Sequence, residues 1–198
     1  MKKNVLGKKI TKGNPGYLDY QKKIEIFRTI LYFAIVAALF GLGYSQTHSN
    51  KNLLTIVAVV GCLPASKALV GVITRFPYHS IEKNYAREIG EKSTSLTVIY
   101  DLVLTSNEKI IPIDCIVISG DKVFGYASSE KTDEGYAAGY IRKMLSQNQL
   151  SNVSVRILHQ YNAFLSRAEG LNNIAIVEKS DQKALEQQIA NVILSLSL

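Results

Sequence analysis

Thr29-Ile-Leu-Tyr-Phe-Ala-Ile-Val-Ala-Ala-Leu-Phe-Gly-Leu-Gly-Tyr44 and Leu53-Leu-Thr-Ile-Val-Ala-Val-Val-Gly-Cys-Leu-Pro-Ala-Ser-Lys-Ala-Leu-Val-Gly-Val-Ile-Thr74 decide how the rest of the chain is read. Each run approaches the ~20 residues that a helix needs to cross a hydrocarbon core of about 30 Å. Between them Ser45 to Asn52 is polar and too short to be a domain. The expectation is a helical transmembrane hairpin over residues 29–74. A basic tail with an interfacial helix (1–28) precedes it, and a soluble α/β domain (75–198) follows.

Charge is distributed to match. Residues 1–28 carry eight Lys/Arg against two Asp/Glu, whereas the region from Arg75 onward carries thirteen against fourteen. The excess positive charge of the chain therefore flanks the apolar runs. It does not form a basic face on the soluble part, so nucleic acid is not an expected partner. Four Lys/Arg between Arg75 and Lys92 oppose a single one, Lys51, in the turn. The positive-inside rule then places both termini in the cytoplasm and the turn outside the cell membrane. A cleaved signal peptide fits poorly, because the basic region is long, no small-x-small site follows and a second apolar run comes at once. Lys22, Lys23 and Arg28 are expected to meet anionic lipid, at roughly 1 kcal/mol each.

Two residues in the second run stand out. Pro64 removes a backbone donor and should kink the helix. Lys67 lies about seven residues from the cytoplasmic end, roughly 10 Å deep at 1.5 Å per residue. It either snorkels toward the headgroups or contacts a partner, and a charge at that depth is a functional lead. The runs contain no Asp or Glu, so an acidic partner would belong to another chain. Gly41, Gly43, Gly61, Ala65 and Gly71 offer surfaces for close helix packing.

Met1 to Asn14 is rich in Lys and Gly, lacks an apolar repeat, and is expected to be mobile. Past the hairpin, Ser80 to Glu91 has an amphipathic helical period, with Ile81, Tyr85 and Ile89 four residues apart. Three alternating segments (Leu96–Leu104, Ile110–Ile118, Val123–Ala127) with short polar turns predict an antiparallel meander. A helix N-capped by Thr132, a strand over Val153–Leu158, a short helix from Tyr161 ending at Gly170, a strand over Ile174–Val177 and a last helix capped by Ser180 complete the order. The core is thus αβββαβ-like with a C-terminal α/β extension. Cys62 and Cys115 read as small buried apolar residues, and no Cys/His spacing suggests zinc. His48, His79 and His159 are scattered.

The segment Ile113-Asp-Cys-Ile-Val-Ile-Ser-Gly-Asp-Lys-Val-Phe-Gly-Tyr-Ala127, in that element order, resembles a restriction-endonuclease-like (PD-(D/E)XK) domain of the nuclease-related NERD type. The resemblance covers roughly residues 80–160. It implies a metal-binding acid at Asp114, with Glu88 on the preceding helix as a possible second ligand. Ala127 and Ser129 occupy the positions expected to hold the acid and the lysine, and the adjacent Glu130 and Lys131 would point to opposite faces of a strand. Metal-assisted phosphodiester cleavage needs clustered carboxylates and a positive group. The departure therefore implies a degenerate, non-catalytic site with no cofactor. The expected function is a two-pass anchor whose cytoplasmic domain mediates protein–protein interaction or scaffolding, with homo-oligomerisation open. Two alternatives stand beside it. One is a membrane-tethered nuclease using a divalent metal at Glu88 and Asp114, with Glu130 and Lys131 in attendance. The other is an accessory subunit of a transporter or membrane complex, pointed to by Lys67.

Overall fold

A computed structural model describes residues 10–48, 52–106, 108–178 and 182–198. The described residues form two units, one from the stretch 18–79 and the other from residues 10–17 together with those from 80 onward.

The 18–79 unit contains helices α1 (Tyr17–Thr47) and α2 (Leu53–Arg75). The interfacial segment and the first apolar run form one uninterrupted helix. Both helices are long and apolar enough to span a membrane. Asn52 caps α2, its side chain accepting from Thr55 N at 2.8 Å, which satisfies a donor the helix cannot pair itself. α2 continues through Pro64.

The residues of α1 withdrawn from its surface include Leu18, Lys22, Glu25, Thr29, Tyr32, Val36, Leu39 and Gly43. Those of α2 include Leu54, Ala58, Gly61, Ala65, Ala68, Val72 and Arg75. Both series alternate steps of four and three, the 3.5-residue period of a left-handed coiled-coil seam. The small residues belong in this seam. A β-carbon on Gly61 would stand 3.1 Å from Val36 Cγ2, and one on Gly43 would stand 2.9 Å from Leu54 Cβ. Gly41, by contrast, faces open space. Away from the seam large apolar side chains are exposed, with Phe27, Leu53 and Leu63 all at least 70% exposed.

The other unit holds a four-stranded sheet in the order β1 (Thr97–Thr105), β2 (Ile110–Ser119), β3 (Lys122–Tyr126), β4 (Ser154–Leu158). The first three strands are antiparallel and β4 runs parallel to β3. Helix α3 (Lys83–Lys92) precedes β1, and α4 (Glu134–Gln147) connects β3 to β4. α5 (Tyr161–Glu178) and α6 (Lys183–Leu196) follow. One core, with Leu102, Ile113, Ile116, Ile141, Leu145 and Ile193, joins the sheet to α4 and α6. A second, with Ile89, Cys115, Val117, Tyr126 and Phe164, joins the other face to α3 and α5. Cys62 and Cys115 are free thiols.

The sheet has one irregularity. Ile99 and Leu102 share a core although strict alternation would send them to opposite faces. Ile113 and Ile116 do the same in β2. Asp101, with φ of 57°, sits at the changeover. The pairs Tyr100–Cys115 and Leu102–Ile113 place Asp101 across from Asp114.

Several sequence expectations are corrected here. Ile174–Val177 is the last turn of α5, so the C-terminal extension is helical and not α/β. Phe164, Leu165, Ala168 and Leu171 recur at helical spacing against the second core and carry the helix through Gly170. The apolar run after them lies largely on the exposed flank of the same helix. Asp133, not Thr132, caps α4, accepting from Tyr136 N at 2.9 Å. Thr132 instead donates to Pro112 O. The expected Ser180 cap lies outside the described residues. Residues 10–14, read as part of a mobile tail, pack against the α/β unit. Gly13 O accepts from Tyr100 N at 2.9 Å, and Lys12 Nζ donates to Ser197 O.

Candidate functional site

The carboxyl ends of the parallel strands β3 and β4, together with the amino ends of α4 and α5, converge on one corner of the sheet. Such strand ends are the usual ligand crevice of α/β folds. Asp114 reaches this corner from mid-β2, half-buried, and its Oδ2 accepts from Ser128 N at 2.6 Å. His159 follows β4. Its backbone N donates to Glu134 Oε1 at 2.7 Å, and its Nδ1 lies 2.7 Å from Ala127 O. A carbonyl only accepts, so Nδ1 is the donor in this contact.

Three tyrosines line the same corner. Tyr161, at the start of α5, stacks on Tyr85 with ring centroids 4.2 Å apart. It meets Tyr126 edge-on at 5.4 Å, an orientation favoured by the ring quadrupoles. The Tyr161 hydroxyl donates to Glu88 Oε2 at 2.8 Å. Burial, followed by this hydrogen bond and the Glu88 charge, pushes the Tyr161 phenol far above its ordinary value of 10.0. Burial raises Tyr126 as well, with Asp114, Tyr85 and Glu82 adding to the shift. The Cys115 thiol beneath them is raised by burial and by Asp114 and Asp101. It is therefore a protonated core thiol and not a nucleophile.

The residues expected for a metal site are dispersed in their bonding. Glu88 is engaged by Tyr161 and lies 4.0 Å from Lys92. Asp114 is engaged by Ser128. Glu130 and Lys131 occupy an exposed turn after β3, not a strand, so the opposite-face argument does not apply to them. Ala127 is fully buried and carries no side-chain ligand. Among the described residues no three His, Cys, Asp or Glu side chains come together as a metal-binding group. The donor set therefore does not fit the divalent metal that the nuclease resemblance implies. Comparison with known protein families, characterised proteins and solved structures finds no match for this chain. The nuclease resemblance rests on the quoted residues alone.

In the 18–79 unit, Lys67 is exposed and off the helix seam, between the seam residues Ala65 and Ala68. Glu25 lies on the same helix as the first apolar run, one turn before it. Its Oε2 would stand 3.7 Å from a β-carbon on Gly71, and its Oε1 lies 3.4 Å from Arg28 Nη1. Lys22 lies 3.9 Å from Asp19 and stacks over the Phe76 ring at 5.7 Å. Lys23 is exposed.

Sequence reasoning did not single out Asp101, Tyr161, Glu134 or Glu186. Glu186 is 4% exposed and accepts from Gly120 N, Thr97 Oγ1 and Lys183 Nζ at 3.0, 2.7 and 3.0 Å. It forms the floor of a polar cavity of about 260 Å³ that also includes Ser95, Ser119 and Lys122. The only signal for it was an acid on the apolar face of an otherwise regular amphipathic helix.

Proposed function

We propose that the α1–α2 hairpin anchors the α/β unit at the cytoplasmic face of the cell membrane, and that this unit acts there by binding a protein partner, without catalysis. The observation that carries the reading is the way the hairpin is inserted. The chain leaves the α/β unit at Tyr17 and rejoins it at Ser80, and residues on both sides of the excursion pack into that one unit. A membrane excursion with both ends held by one soluble body must cross an even number of times, as a two-helix hairpin does. The distribution of Lys and Arg supports the cytoplasmic side for that body.

The site supports binding over chemistry. Its histidine, carboxylates and tyrosines are mostly engaged with one another or with backbone, and the Cys115 thiol beneath them is held protonated. Single-cysteine labelling in intact cells tests the topology, on a background in which Cys62 and Cys115 are replaced by serine. Ser45→Cys should react with a membrane-impermeant maleimide, while Ser151→Cys should react only after permeabilisation. Labelling of Ser151→Cys in intact cells would overturn the reading.

A further inference from the structure

Lys67 is the polar side chain of α2 that its own helix leaves unsatisfied. Thr55 Oγ1 donates to Asn52 Oδ1 at 3.1 Å, Ser66 Oγ to Cys62 O at 2.8 Å, Thr74 Oγ1 to Val70 O at 3.0 Å and Arg75 Nη1 to Gly71 O at 3.3 Å. Lys67 has no hydrogen bond or ion pair among the described residues. It is exposed and off the seam. Leu63 and Val70, one turn to either side on the same face, are apolar and 72% and 58% exposed.

An ammonium held in hydrocarbon is costly unless it reaches water or a partner. Lys67 precedes Thr74, the last residue of the apolar run, by roughly 10 Å at 1.5 Å per residue. A lysine stem reaches only about 6 Å toward the headgroups. The Cα–Cβ bonds of a helix also tilt toward its amino end, and long side chains follow them onto the preceding turn. In α2 that direction leads away from the nearer membrane face, so snorkelling falls short and runs against the helix geometry. A carboxylate inside the membrane neutralises the charge and accepts its hydrogen bonds. The apolar runs of this chain hold no Asp or Glu. Glu25, the acid closest to them in sequence, is turned into the seam toward Gly71 and engages Arg28. A second copy would bring the same set, so the acid belongs to a different chain.

We propose that the outward flank of α2 around Leu63, Lys67 and Val70 receives a transmembrane helix of another protein, with an Asp or Glu facing Lys67 at its depth. Leu63 and Val70 supply packing above and below, and the ion pair fixes the register of the two helices. The proposal rests on the membrane-spanning part of the reading above and is independent of what the α/β unit binds.

The test uses the full chain in phosphatidylcholine vesicles with synthetic membrane-spanning Leu-Ala peptides. One peptide carries a Glu about seven residues from its end, to match the roughly 10 Å depth. A second carries Gln there, and a third carries Glu at its first spanning residue. Association is read by resonance energy transfer from a fluorophore at Ser45→Cys, with Cys62 and Cys115 replaced by serine. The deep-Glu peptide should bind about tenfold more tightly than either of the others. Lys67→Leu should abolish that preference and Lys67→Arg should keep it. Equal binding of the Glu and Gln peptides, an unchanged preference in Lys67→Leu, or tightest binding of the interfacial Glu, which marks a snorkelled lysine, would each overturn the contact. In native membranes, benzoylphenylalanine at Leu63 should photocross-link to a span containing Asp or Glu, and Lys67→Leu should remove that product. Cross-links to lipid or to a second copy alone would overturn it as well. Failure here with the expected cysteine-labelling pattern removes only this contact, whereas a reversed labelling pattern removes the anchoring scheme.

Discussion

The Ser128 amide donates to Asp114 Oδ2 at 2.6 Å and ties the loop leaving β3 to the middle of β2. A hydrogen bond to a charged acceptor contributes roughly 1.5–3 kcal/mol when shielded, and Asp114 is half-buried. Asp114→Ala should therefore lower stability by about 1–2 kcal/mol, measured by thermal or denaturant unfolding. Asp114→Asn keeps an acceptor and should lose less. Calorimetric titration with manganese separates this positioning role from that of a metal ligand. Tight binding abolished in Asp114→Ala would restore the nuclease alternative.

The strands β1 to β4 and the helices α3 and α4 were legible because each pairs a clear period with turn chemistry. Gly120, at φ of 56°, closes the β2–β3 hairpin within one of the short polar turns. The Ile174–Val177 error has a physical origin. Four consecutive apolar residues fit a buried strand and one turn of helix equally well, and only the upstream Phe164–Leu171 spacing decides. The reversal of faces at Asp101 was invisible because alternation was counted over each strand as a whole. The tyrosine corner joins residues from α3, β3 and α5, far apart in sequence, and only tertiary packing could bring them together.

Glu186 should be among the most sensitive positions outside the apolar cores. Its three hydrogen bonds link α6, β1 and the β2–β3 turn. Glu186→Leu removes the acceptor and leaves the buried Gly120 amide and Thr97 hydroxyl without their partner. Each such group costs about 1–3 kcal/mol. The expected loss is about 2–4 kcal/mol, read from unfolding midpoints, with Glu186→Gln intermediate.

The hairpin seam makes a geometric prediction. In a Cys62→Ser background, Val36→Cys with Gly61→Cys should form a disulfide on mild oxidation, because a β-carbon at 61 meets the Val36 side chain at 3.1 Å. Lys67→Leu should leave that cross-link unchanged, since Lys67 is off the seam. Gly61→Leu should disrupt the pairing of the helices by overpacking. Absence of the cross-link in native-like lipid would show that the two helices do not pair in this register.

Alkaline pH should expose the buried phenols. Tyr100, Tyr126 and Tyr161 are all raised above 10.0, with burial as the first cause in each. In the unfolded chain these groups ionise near their ordinary value, whereas in the native state they keep their protons to higher pH. The native state then binds more protons than the unfolded state, so stability falls as pH rises. The contribution is fully present below about pH 10 and is lost as the pH climbs toward the raised native values. Absorbance at the phenolate band should show a step from these three that coincides with loss of the fold. Tyr161→Phe should flatten the stability slope above about pH 10, and it also releases Glu88 from its hydrogen bond. An unaltered slope in that variant would mean that Tyr161 is not held neutral by this corner.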